Sequence, residues 1–190
     1  MKSERRKVGR STLLIIFILS TCSQVFAQSY CSPSHYGATF GNCVASVTIG
    51  SWTQSNAGGD GSINDYTGGT DAAMTQGSSY NFSVTFTKVA QSYYGFVYVD
   101  WNDDGDFSDA SETVQSYTTV GSGSGSTVWT NATYTCPSIA TGTVRMRVIS
   151  SVYTNYGPCG AWDYGEWEDY EIVVSAAPNV KANNTTNLNA

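Results

Sequence analysis

The chain has 190 residues, with nine Lys and Arg against fifteen Asp and Glu, a formal net charge of −6 and a single histidine. This length suits one compact domain behind any leader. The acidic balance leaves no electrostatic footprint for nucleic acid or anionic lipid.

Lys2, Arg5, Arg6, Lys7 and Arg10 precede an apolar core from Leu13 to Leu19, and Val25-Phe26-Ala27 leads to Gln28. This pattern predicts a secretory signal peptide over 1–27. The apolar run falls short of the roughly 18 residues of a membrane span, so no transmembrane segment is expected. An alternative end, "LSTC" at 19–22, loosely matches a lipobox and would anchor an outer-membrane lipoprotein through Cys22. Removing 1–27 leaves four basic and fourteen acidic residues, a net charge of −10. An exported domain so acidic is suited to cations. Cys31, Cys43, Cys136 and Cys159 remain after cleavage, an even set that predicts two disulfides with three pairings open. None has the C-x-x-C spacing of a zinc site. His35, in "SPSHYG", reads as a surface residue rather than a base.

From there the period is two. Strands are predicted at 43–52, 80–89, 94–101, 126–135, 142–150 and 168–174, all rich in Val, Ile, Thr, Tyr and Phe. Gly, Ser, Asn and Asp clusters such as "NAGGDGSIND" and "GSGSGS" separate them. No segment has the period of a long amphipathic helix. The expected fold is an all-β, antiparallel β-sandwich of jelly-roll type, a single domain over 28–175. In "GTVRMRV", Val144, Met146 and Val148 share the core-facing side. Arg145 and Arg147 share the other, either solvated or paired with the last acidic strand. Residues 176–190, without aromatics or a period, read as a disordered tail or linker.

The segment "YVDWNDDGDFSDASE" at 98–112 places six carboxylates and one carboxamide behind a strand. Asp100, Asn102, Asp104 and Asp106 fall at positions 1, 3, 5 and 7 of a calcium-loop register, Gly105 falls at the turn, and Asp109 and Glu112 lie within later reach. Alternate side chains of a tight loop point inward, where oxygens surround a cation at about 2.4 Å. The residue at position 12 is Ser111, with Glu112 one place later, and the flanks are strands. The loop is therefore of the broader D-x-[DN]-x-D-G kind and not an EF-hand, with calcium as the expected cofactor. A second cluster, "YGEWEDYE" at 164–171, offers Glu166, Glu168 and Asp169. These could add ligands or supporting contacts to the same cation, pair with Arg145 and Arg147, or form the carboxylate pair of a glycosidase.

"YVDWNDDGDFSDASE", then "GTVRMRV", then "YGEWEDYEIVV", with "INDYT" at 63–67, resemble the GEVED domain family, here with GEWED as its motif. The resemblance covers about 30–174. It implies a β-sandwich module of secreted, cell-surface or protease-associated bacterial proteins, often from Bacteroidetes, accompanied by other domains. It also implies pairing of Cys31 with Cys159 and hence of Cys43 with Cys136, with Cys31–Cys43 as the alternative.

Three functions compete. The first is a non-catalytic, calcium-stabilised extracellular module for adhesion or for a cell-surface, matrix or glycan ligand. The second is a carbohydrate-binding module, possibly beside a secreted hydrolase, using aromatics such as Trp52, Trp129 and Trp162 as stacking platforms. The enzyme reading is last, because the sequence has no G-x-S-x-G, H-E-x-x-H or phosphate loop.

Overall fold

A computed structural model describes residues 29–36, 43–55, 63–88, 93–120, 125–138, 141–152 and 157–179. The predicted signal peptide, with Cys22, lies outside them, as do residues 180–190 of the predicted tail and the side chains of His35, Tyr93 and Trp162. Every regular element among the described residues is a strand. No helix there is long and apolar enough to cross a membrane.

The strands are β1 Ser34–Tyr36, β2 Cys43–Ile49, β3 Trp52–Ser55, β4 Ile63–Asp65, β5 Ala72–Thr75, β6 Ser79–Lys88, β7 Tyr93–Val99, β8 Thr113–Val120, β9 Gly125–Thr135, β10 Gly142–Ser151, β11 Ala161–Asp163 and β12 Gly165–Ser175. One sheet has the order β3-β2-β6-β9 and the other β4-β12-β10-β7-β8, with β5 also on the outer edge of β12. The main ladders are antiparallel. The three exceptions are the short pairings β4 with β12, β5 with β12, and β1 with β11, all parallel. The architecture is the expected all-β sandwich, with a mixed rather than purely antiparallel edge.

Alternation accounts for the packing. Phe82, Val84 and Phe86 of β6 are buried while their neighbours are not. They meet Val97, Val99, Val144, Met146, Val148, Ile172 and Val174 from the facing sheet. In β2 the alternation breaks at a bulge between Val44 and Ser46, which lets both Val44 and Val47 face the core. The segment predicted as one strand over 43–52 is a hairpin, because Gly50 takes φ +58° and turns the chain between Ile49 and Trp52.

The outer face of the larger sheet carries a second apolar cluster: Phe96, Tyr98, Ile149, Trp167 and Phe107, with Tyr30 and Tyr94 packed against it. Arg147 lies within this face and is 1% exposed. Its guanidinium grips Asp169 with two bonds, Nε to Oδ1 at 2.7 Å and Nη2 to Oδ2 at 2.8 Å. It lies over the Trp167 and Phe107 rings. Nη1 donates to the carbonyls of Cys31 and Pro158, both at 2.9 Å. The arginine pair is thus matched to the acidic strand, and the solvated alternative does not hold for Arg147.

Cys31 and Cys159 are bonded, with a Cα–Cα distance of 5.5 Å. The pairing of Cys43 with Cys136 is corrected: both are buried free thiols. Cys43 sits opposite Thr87, whereas Cys136 bonds the backbone of Ser78. These are the two ends of β6, separated by roughly 30 Å at strand rise, far beyond a disulfide's reach of about 7 Å.

Two substitutions test this frame. A Cβ at Gly165 would fall 1.9 Å from the Ser150 carbonyl oxygen, so Gly165→Ala should destabilise by about 1–3 kcal/mol in urea unfolding. Arg147→Ala, which strips Asp169 of its two-bond partner, should cost about 3 kcal/mol or more, and Arg147→Lys should recover only part of it.

Candidate metal site in the β7–β8 loop

Residues 100–112 join β7 to β8, and the neck closes where the Val99 N–H donates to the Glu112 carbonyl at 2.9 Å. The loop is anchored on both faces of the sheet. Trp101 is buried in the inter-sheet core, stacked on Tyr134 at 5.5 Å between centroids. Phe107 is buried in the outer cluster, under the Arg147 guanidinium. An acidic segment would be expected to stay solvated, but these two rings hold it down.

Asp100, Asp104 and Glu112 offer carboxylate oxygens that all lie within 4.8 Å of one another. Oxygens bound to one calcium at about 2.4 Å can be no farther apart than about 4.8 Å, so the three fit one coordination sphere. Asp100 is fully buried and serves as the hub of the loop. Its Oδ1 accepts the Asp104 N–H at 3.2 Å, and its Oδ2 accepts the Gly105 N–H at 2.9 Å and the Tyr30 hydroxyl at 2.8 Å. Asp103 takes φ +56° and Gly105 φ +97° to make the turn, a conformation open to Gly and tolerated by Asp.

The remaining predicted ligands sit around this trio. The Asn102 amide donates to Asp104 Oδ2 at 2.9 Å and Asp109 Oδ2 at 2.7 Å. Asp109 donates its N–H to Glu112 Oε2 at 3.0 Å. Asp106 is turned away: its Oδ1 accepts the Ser108 N–H and hydroxyl, which hold its carboxyl below the usual range. The expected inward side chain of Asp106 is thereby corrected, although position 7 of a calcium loop can still contribute its backbone carbonyl.

Glu112 is 1% exposed, and its Oε1 has no hydrogen-bond partner among the described residues. Burial first, with Asp100, Asp109 and Asp104 adding to it, pushes its carboxyl up to about 7. A buried carboxylate oxygen with nothing to bind, beside two further carboxylates, is an arrangement that a cation would complete.

The second acidic cluster does not reach this site, and its expected ligand role is corrected. Glu166 accepts the Val44 N–H at 2.8 Å and the Asn64 amide at 3.0 Å. Glu168 accepts the Tyr170 hydroxyl, and Asp169 binds Arg145 and Arg147. All three are buried. The glycosidase pair is thereby enclosed, because an acid and base acting on a glycan must meet solvent and substrate. Asp169 is linked to the loop only indirectly. Arg145, its other partner at 3.1 Å, lies over the Tyr30 ring and accepts the Asp100 N–H at its own carbonyl.

Two of the proposed stacking platforms are also corrected. Trp129 is a core residue, 5% exposed. Trp52 is half-buried against Tyr170, with its Nε1 donating to the Thr70 carbonyl at 2.7 Å. Trp129 lies on a strand whose alternation turns it inward, and Trp52 follows a hairpin that folds it over the sandwich edge. Tyr30, Phe107 and Arg147 were not foreseen as supports of the loop. The one available signal was Phe107, an isolated apolar residue within an acidic run.

Fold and site together define an all-β sandwich module whose β7–β8 hairpin carries an acidic, cation-competent loop. Residues 94–173 match the family model described as the GEVED domain, the family that the sequence motifs resemble. No curated protein matches the chain. Two solved structures of the CARDB domain of a Pyrococcus furiosus protein are similar at low level. A crystal structure in complex with di-metal ions has 13% identity and a TM-score of 0.38, covering 57% of this chain and 87% of that one. A solution NMR structure has 11% identity and a TM-score of 0.36, covering 54% and 85%. At these scores the likeness assigns neither function nor ligand.

The Glu112 carboxyl sets a testable pH response. Its folded pKa lies above its unfolded value, so the stabilising protonated form is fully present below about 4.5 and is lost as pH rises through about 7. In chelator, Glu112→Gln should flatten the fall in melting temperature between pH 5 and 8 and leave the variant more stable than the parent at pH 8.

Proposed function

We propose that this chain is an exported, non-catalytic β-sandwich module in which calcium, held by the β7–β8 loop, fixes a ligand-binding surface for adhesion. The observation that carries this is the buried Glu112 oxygen without a partner, set beside Asp100 and Asp104 in one coordination sphere. Calcium suits the site better than magnesium. The donors brought together are three carboxylates, which suit calcium's flexible oxygen sphere, whereas magnesium prefers shorter bonds and retained water. Export is supported by the basic and apolar leader and by the Cys31–Cys159 disulfide, which persists in oxidising compartments.

The cation would act by rigidification. It would neutralise Asp100, Asp104 and Glu112 and remove the repulsion that now resists closure. With the buried Trp101 and Phe107 as anchors, the loop would become one fixed wall of the outer face. Binding to the folded state alone adds RT ln(1 + [L]/Kd), about 2.7 kcal/mol at a hundredfold excess. In a domain of this size that is a rise of roughly 5–10 °C in melting temperature.

The test is thermal unfolding of the mature chain in chelator and in calcium. The parent should gain several degrees, whereas Asp104→Ala and Glu112→Gln should gain none. An unchanged parent would dismiss the cation. Because Glu112 must lose its proton to bind, apparent calcium affinity should rise between pH 6 and 8. Tyr30→Phe, which removes one donor from Asp100 Oδ2, should weaken calcium about 10-fold by titration calorimetry without abolishing it.

A further inference from the structure

A shallow cavity of 230 Å³ opens on the outer face beside the acidic loop, lined by Tyr30, Asp103, Thr143, Val144, Arg145 and Glu171. Its floor is the β10–β12 ladder, in which Arg145 stands directly opposite Glu171. Its loop-side wall is Asp103, whose left-handed backbone belongs to the turn that shapes the metal site. The Arg145 side chain is 21% exposed. Its Nη1 donates to Asp169 and its plane lies over Tyr30, and among the described residues Nε and Nη2 donate to nothing. Glu171 spends Oε2 on the Gly68 N–H at 2.8 Å, which leaves Oε1 to accept from the cavity. Thr143, exposed at the start of β10, adds a hydroxyl.

Charge narrows the ligand class. Arg145 and Arg147 share Asp169, and the cavity adds the carboxylates of Asp103 and Glu171, so three acids face two guanidiniums and no surplus positive charge is present to draw an anion. What the walls offer is a fork of donors next to an acceptor. A pair of neighbouring hydroxyls matches that, since each can accept from the guanidinium and donate to a carboxylate. The volume lies below the roughly 300 Å³ at which drug-sized pockets begin, which admits one ring and not a chain of them.

We propose that this cavity is a subsite for a single neutral sugar ring, held through vicinal hydroxyls between Arg145 and Glu171 with Asp103 as the loop-side wall. It rests on the reading above, in which a cation fixes the loop of a ligand-binding module. It uses polar contacts rather than the stacking platforms that Trp52 and Trp129 do not provide.

The experiment is saturation-transfer NMR on the disulfide-bonded mature chain in calcium. The probes are methyl pyranosides of glucose, mannose and galactose, and free fucose, at millimolar concentration, with acetate and glycine as comparison ligands. Transfer to the ring protons of at least one sugar is expected. It should fall fivefold or more in Glu171→Ala and in Arg145→Lys, the second of which keeps the ion pair with Asp169 but loses the planar fork. Both variants should retain the calcium-dependent rise in melting temperature, which separates loss of the subsite from loss of the fold. A parent that shows the calcium shift but no sugar transfer would overturn the subsite while leaving the cation reading intact. Transfer that the variants do not alter would also overturn it, as would binding of acetate or glycine with no binding of sugars. A parent without the calcium shift would fail the cation reading alone, and sugar transfer would still decide the subsite.

Discussion

The structure turns on the Arg147 guanidinium. Burying a charge is costly unless geometry and hydrogen bonds compensate it, and here the compensation comes from four separate parts of the chain. Asp169 supplies the counter-charge, Cys31 and Pro158 supply carbonyls, and Trp167 and Phe107 supply ring faces. The N-terminal strap, the segment ahead of β11, the last strand and the acidic loop are all defined by reference to one side chain. Removing it would leave Asp169 buried with only the more exposed Arg145, and would uncouple the loop from the sheet beneath.

This constraint explains why the acidic loop can be both repulsive and ordered. Asp100, Asp104 and Glu112 oppose one another, but the loop cannot relieve the repulsion by swinging out, because Trp101 is held in one apolar cluster and Phe107 in the other. Burial, with the neighbouring carboxylates adding to it, pushes the Glu112 carboxyl up to about 7, so its protonation relieves part of the repulsion. Tyr30 connects the two systems, with its ring against Phe107 and its hydroxyl on Asp100. Anything that orders the strap therefore also orders the hub of the loop.

Much of this was legible from residue patterns alone. Period-two runs located β2, β6, β7, β9, β10 and β12 to within a few residues, because a buried face on a pleated strand requires that alternation, but β8 at Thr113–Val120 was not among the predicted strands. The D-x-N-x-D-G spacing located the loop, because turn chemistry is local. Short strands such as β4, β5 and β11 were not legible, since three or four residues carry too little periodicity and their pairing is set by β12. Nor could composition show that Glu166 and Glu168 point inward. Glu166 is held by partners distant in sequence, Val44 and Asn64, and Glu168 by Tyr170 two residues on. Cys43 and Cys136 illustrate the same limit: an even count suggests pairing, but the length of β6 forbids it.

The disulfide has a mechanical consequence. It joins residues 128 apart in sequence, with Cys159 only a few residues ahead of β12. Tension applied before Cys31 and after Ser175 would pass through the covalent bridge and along β12, leaving the intervening loop of chain without direct load. Ten of the twelve strands among the described residues lie wholly inside that shielded loop. Extension would then be limited to peeling one strand from its neighbours, and the acidic loop and the sandwich core would be spared until that strand gave way.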